Sequence, residues 1–264
     1  MSRLMRGVLA LASVGLVGVA DAGAQSLAAR VTASRSEAVR LSAPARPGLC
    51  GWGEGSVAYG SRPAGNWGAS SSRYWDARSA CSSGPLRLVL ERTDGAITRV
   101  RFFIGGQWRA DAPGEDVGEV SAEEVVSVLR PLILRGPTRV AKDAMVPLTL
   151  IEGIEVAPIL LPVVRELERP REVRKQAVFW LSQLAQEVVA PQLDALARED
   201  PDLEIRKQAV FALSQRSNEE AVPALIRIAE SKRDPEVRRQ AIFWLGQKDD
   251  PRVGEWLEKV LARP

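Results

Sequence analysis

From about residue 170 the chain repeats itself, and that repeat constrains the fold more than anything else in the sequence. Arg174-Lys175-Gln176-Ala177-Val178-Phe179-Trp180-Leu181-Ser182-Gln183 returns as Arg206-Lys207-Gln208-Ala209-Val210-Phe211-Ala212-Leu213-Ser214-Gln215. It returns again as Arg238-Arg239-Gln240-Ala241-Ile242-Phe243-Trp244-Leu245-Gly246-Gln247, each time at a spacing of 32 residues. A fixed period of this size means a solenoid of stacked supersecondary units. Within a unit, Asp234 is suited to cap a helix, Pro235 to open it and Glu236 to face its positive end. Val237, Ala241, Trp244 and Leu245 then share one helix face. A second helix follows each first one. Pro191 and Pro223 precede Leu193, Leu196, Ala197 and Leu225, Ile228, Ala229, while Trp256, Leu257, Val260 and Leu261 close the last unit. Neither helix can bury its stripe alone, but stacked hairpins share a continuous core.

Asp234-Pro235-Glu236-Val237-Arg238, Ala241, Leu245, Gly246 and Ala221-Val222-Pro223-Ala224-Leu225 resemble the short bacterial HEAT repeats known as PBS-lyase HEAT-like repeats. The firm resemblance covers 171–264. Trp180 and Trp244 stand where that family usually has Ala, and Ser182 and Ser214 where it usually has Gly, which implies a bulkier core. A decayed unit precedes these: Ala144, Met145, Val146 and Leu148, then Ala157, Pro158 and Leu160, align at an offset of 33, with Pro147 inside the first helix. Before it, Ser121 and Glu124 form a capping box, and Val125, Val128, Leu129 and Leu132 give the following helix an apolar stripe. That helix, which Pro131 should kink or end, is expected to cap the array and join it to what precedes. The repeat domain is thus placed at 119–264.

The preceding region reads differently. Leu86, Leu88 and Leu90 alternate with Arg87, Val89 and Glu91. Thr93-Asp94-Gly95 makes a turn, after which Val100, Phe102 and Ile104 alternate with Arg99, Arg101 and Phe103. This is a β-hairpin pattern. One hairpin does not stand alone in water, so pairing with a strand near Ser56–Gly60 is expected. Cys50 and Cys81 are the only two cysteines and read as a disulfide. The fold class is therefore α+β, a C-terminal α-solenoid preceded by a small disulfide-linked β-rich domain at 48–112. Residues 25–47, rich in Ala, Ser and Arg, read as a linker with one short helix at 26–40.

Residues 1–24 read as a signal peptide. Arg3 and Arg6 lead into the uncharged Gly7–Ala20, and Ala22-Gly23-Ala24 offers a cleavage site before Gln25. The apolar run of about 14 residues falls short of the ~20 needed to span a bilayer, which weighs against a retained anchor. The expectation is a chain exported to periplasm or medium without a transmembrane anchor after cleavage, which agrees with a disulfide.

Function is sought opposite the core. With Ala177 at 0° on a wheel of about 100° per residue, Phe179 lands near about 200°, flanked by Gln176 and Gln183. The set recurs as Gln208, Phe211, Gln215 and as Gln240, Phe243, Gln247, so stacked units align three phenylalanines rimmed by glutamines. The row is either a partner surface or packing between repeats. The basic pairs Arg174/Lys175, Arg206/Lys207 and Arg238/Arg239 form a second ladder. In the resembled family the first Arg bonds between repeats, so a structural role is expected. Trp52, Tyr59, Trp67, Tyr74 and Trp75 lie between the cysteines as a small core or a glycan- or peptide-stacking platform.

The chain has no His, which removes imidazole triads and imidazole-based metal sites, including the His-Glu pairs that HEAT-like di-iron hydroxylases need. Nothing supplies the context of the HEAT-like bilin lyases. A net charge of +3 is too weak to indicate nucleic acid. No catalytic residue, metal or cofactor is expected. The repeats imply a non-enzymatic scaffold or adaptor that binds another protein, and the expected export makes that partner an exported or envelope protein. The alternative is cell-wall glycan or peptide binding through the aromatic-rich β domain.

Overall fold

A computed structural model describes residues 26–59, 62–66, 81–184, 189–231 and 233–262, with 62–66 described through their backbone. The signal-peptide reading and the residues Trp67, Tyr74 and Trp75 lie outside these. The hairpin forms as its alternation requires. β6 (Leu86–Thr93) and β7 (Ala96–Ile104) pair antiparallel, with Thr93 opposite Ala96. Asp94 and Gly95 both take positive φ (51° and 79°), the geometry of a two-residue turn whose twist matches the strands.

The hairpin's partner is not the strand near Ser56. β6 pairs antiparallel with β1 (Ala38–Ala43), which pairs parallel with β8 (Glu115–Glu119), so the sheet order is β7-β6-β1-β8. This corrects the reading of 25–47 as a linker, because it holds a central strand; the short helix expected within 26–40 is α1 (Leu27–Ala33), whose Leu27 and Val31 are buried. The reason is period-2 burial. Val39, Leu41 and Ala43 line up with Leu88, Leu90, Val100, Phe102 and Ile104 on the core face. On the other face, Ala38, Val89 and Phe103 form a small cluster closed by Trp108. The Trp108 ring lies edge-on to Phe103 and beneath the Arg40 and Arg87 guanidiniums. Arg92, nearly buried, ties α1 to the hairpin turn by donating to the Ser34, Thr32 and Gly95 carbonyls.

The segment near Ser56 builds a second sheet of order β4-β3-β2-β5, made of β2 (Leu49–Gly51), β3 (Ser56–Tyr59), β4 (Arg62–Asn66) and β5 (Ser82–Ser83). The Cys50–Cys81 disulfide sits in it, with Cα atoms 5.4 Å apart. It meets the first sheet where the Gly55 amide donates to the Phe102 carbonyl at 3.0 Å.

α2 (Ala122–Arg135) opens with the anticipated capping box, the Ser121 amide donating to Glu124 Oε2 at 2.9 Å and the Glu124 amide to Ser121 Oγ at 3.2 Å. Pro131 does not end it; the helix continues to Arg135. Four helical hairpins follow. They are α3 (Thr138–Leu150) with α4 (Ala157–Arg165), α5 (Arg171–Ser182) with α6 (Val189–Glu199), α7 (Leu203–Ser214) with α8 (Asn218–Glu230), and α9 (Pro235–Leu245) with α10 (Pro251–Leu261). The first helices stack in the order α3, α5, α7, α9. α2 packs on α1, α3 and α4, but the helix that meets the sheet is α3, against β7 and β6. One buried cluster runs from Leu27 through the sheet to Trp256, so the sheet and the array share a core.

Candidate partner-binding surface

The stacked first helices place the repeated phenylalanines at three different depths. Phe179 and Phe211 are half-buried, and Phe243 is 58% exposed. The gradient follows from what the neighbouring unit offers. The Phe211 ring leans on Trp244 of the next hairpin, with centroids 5.4 Å apart. The residue at the corresponding place beyond Phe179 is Ala212, and Phe179 sits edge-on to its own neighbour Trp180 at 5.1 Å. Phe243 likewise meets its own Trp244 at 5.1 Å. The row is therefore partly inter-repeat packing and partly open surface.

The glutamines divide into two sets. The Gln176 amide donates to the Lys142 carbonyl at 3.3 Å and the Gln240 amide to the Lys207 carbonyl at 3.2 Å, so each clips one first helix to the preceding one. Gln208 occupies the same position, half-buried. Gln183, Gln215 and Gln247 are exposed. Gln183 and Gln215 donate to Ser182 and Ser214, whose hydroxyls donate in turn to the Phe179 and Phe211 carbonyls at 2.6 and 2.7 Å. This chain ties Gln183 and Gln215 to the backbone beside Phe179 and Phe211; Gln247 follows Gly246, which offers no hydroxyl.

The basic ladder is mostly structural. Arg174 is buried, paired with Asp200, and donates to the Val164 carbonyl at 2.8 Å. Arg206 pairs with Asp234 at 2.6 Å. Asp234 also caps α9, and the Val237 amide, the Arg206 guanidinium and the Glu236 amide together hold its carboxyl below the usual range. A further rung recurs at 32 residues: Arg216 donates to the Leu184 carbonyl and Lys248 to the Arg216 carbonyl. Trp52 is half-buried and Tyr59 lies in β3. Among the described residues no group of three or more His, Cys, Asp or Glu is placed to hold a metal ion, and no helix is long and apolar enough to cross a membrane.

One set of residues escaped the sequence reading. Ile242, Leu257, Val260 and Leu261 fit the core stripe of a hairpin but are exposed. Comparing them with their buried counterparts one period earlier is the signal that finds them.

Residues 157–246 match the family model for HEAT repeats, and residues 237–263 match that for the PBS lyase HEAT-like repeat. The helical run is consistent with those repeats, a class that typically mediates protein–protein interaction. No curated protein matches the chain.

Proposed function

We propose that this chain is a non-enzymatic adaptor that binds another exported or envelope protein through the first-helix face of its repeats. The observation that carries the reading is the row of Phe179, Phe211 and Phe243, partly open on stacked helices and edged by Gln183, Gln215 and Gln247. An ordered apolar stripe of this kind favours a contact. Rings held by neighbouring tryptophans lose little freedom on docking. Action outside the cytoplasm is supported by the charge and hydropathy pattern of residues 1–24 and by the paired cysteines.

The test is affinity capture from an envelope extract with the wild type, Phe243→Ser, and the triple variant Phe179→Ser/Phe211→Ser/Phe243→Ser. One saturable partner is expected, weakened by the single change and lost with the triple, while helical circular dichroism is retained. Capture that is unaffected in a folded triple variant removes the row from the function. If the triple variant unfolds, Phe243→Ser decides, because its ring is already exposed.

A further inference from the structure

The last hairpin exposes positions that the array elsewhere buries. Val178 and Val210 are fully buried, whereas Ile242, at the same place in α9, is 41% exposed. Leu193 and Leu225 are fully buried, and Leu257 is 40% exposed. Ala197 and Ala229 are buried, and the larger Leu261 in their place is 82% exposed. The α9–α10 hairpin thus keeps on its outer side, and at Leu261 enlarges, the apolar character of an interior face.

The charged residues on this face also keep the chemistry of the interior. Arg238 holds the register of Arg174 and Arg206, which give their guanidiniums to Asp200 and Asp234. Arg238 is exposed and has no carboxylate partner among the described residues. Glu258 holds the register of Asp194, a carboxylate that receives Arg227 from the next hairpin at 3.3 Å, and it is also exposed. One face thus carries a donor cation on α9, an acceptor carboxylate on α10 and aliphatic side chains between them.

We propose that this open face of α9 and α10 is a homodimer interface, in which the same face of a second copy of the chain stacks against it. Arg238 and Glu258 hold the registers of two different ion pairs, and a face that carries a cation and a carboxylate can pair each with the other on a second copy, as a two-fold interface requires. Arg238 lies near the start of α9 and Glu258 near the end of α10, so in a helical hairpin they sit at one level. A two-fold axis along the helices then sets Arg238 opposite Glu258 of the second copy and stacks the two sets of aliphatic residues. Head-to-tail stacking is closed off, because the far end of the array is covered by α2 and by β6 and β7. The arrangement is a closed pair, independent of the phenylalanine row.

Sedimentation equilibrium of the purified chain over a hundredfold concentration range tests this. A reversible dimer is expected. Ile242→Glu combined with Leu257→Glu should weaken it by about a hundredfold or more, because unpaired carboxylates enter an apolar contact. Arg238→Glu and Glu258→Arg should each weaken it by about tenfold, and the two together should restore it. A monomer at every concentration overturns the proposal, as does a dimer indifferent to all four changes. A charge swap that fails to recover overturns the two-fold pairing. The substituted side chains are exposed in the single chain, so unchanged circular dichroism is expected throughout.

Discussion

Arg174 and Asp200 form an ion pair whose side chains are only 4% and 3% exposed, at the joint between consecutive hairpins. Replacing Asp200 with Ala leaves the guanidinium in the interior with the Val164 carbonyl as its remaining acceptor. Breaking one side of a buried pair costs about 3–5 kcal/mol, since the surviving charge keeps its desolvation penalty without its partner. Asp200 also accepts the Asp202 amide at 2.9 Å, which accounts for about 1 kcal/mol of that loss. Removing both charges, as Arg174→Met/Asp200→Ala, should recover most of the stability, because an apolar pair carries no such penalty. The rung one period later provides the control. Arg206 and Asp234 are 14% and 21% exposed, and Arg206 also donates to the Asp200 and Pro201 carbonyls, so Arg206→Met should cost about 2 kcal/mol, less than Asp200→Ala, since Asp234 keeps its helix-cap amides. Urea unfolding followed by far-ultraviolet circular dichroism measures all four proteins. A loss below about 1 kcal/mol for Asp200→Ala, or a double variant no better than the single, would show that water reaches the pair and would refute the reasoning.

Two further predictions concern the sheet region. Burial raises the Asp143 carboxyl at the α3–β7 contact above its ordinary value, against the attraction of Arg99, Arg139 and Arg101 and the Val100 amide. The folded chain therefore holds that proton more tightly than the unfolded one, so this group's stabilisation is complete below the ordinary value of 3.8 and is lost as pH rises through the folded value. Asp143→Asn should raise the melting midpoint at neutral pH more than in acid; equal shifts at both would contradict the assignment. Replacing both Cys50 and Cys81 with Ser opens a bridge across 31 residues and should cost about 3.5 kcal/mol by chain entropy. Denaturant melts measure it, and a midpoint unchanged from the oxidised wild type would show that the bridge adds nothing.

Where one chain segment carries its own signal, the sequence was readable. The β6–β7 hairpin needs only its alternation and Asp94-Gly95, and α2 needs only Ser121 and Glu124. β1 and β8 were missed for a different reason. Ala38-Val39-Arg40-Leu41-Ser42-Ala43 does alternate, but in Ala, Ser and Arg rather than strong strand formers, and the neighbouring β6 supplies most of the pairing. β8 contains Glu, Asp and Gly and is extended because it pairs with β1 at the sheet edge. Its exposed acids also make that edge a poor template for further strands. The phenylalanine row shows a related limit. A wheel fixes the direction of Phe211, but the residue 33 positions on, Trp244, determines how much of the ring remains open.

The two surfaces use different parts of the same helix. On α9, Phe243 points away from the core, whereas Ile242 points along the array, about 100° around the axis. Docking of a second copy against Ile242 and Leu257 leaves the row of Phe179, Phe211 and Phe243 open for most of its length. A pair joined end to end then carries two such rows in one fixed relation. A partner with two matching segments engages the second at high effective concentration after the first has bound. The Ile242→Glu/Leu257→Glu variant, in which the pair is largely dissociated, should therefore bind a single-site partner as the wild type does and lose affinity only for a two-site partner. Equal loss for both would mean that the open face itself contacts the partner, and the two surfaces would then be one.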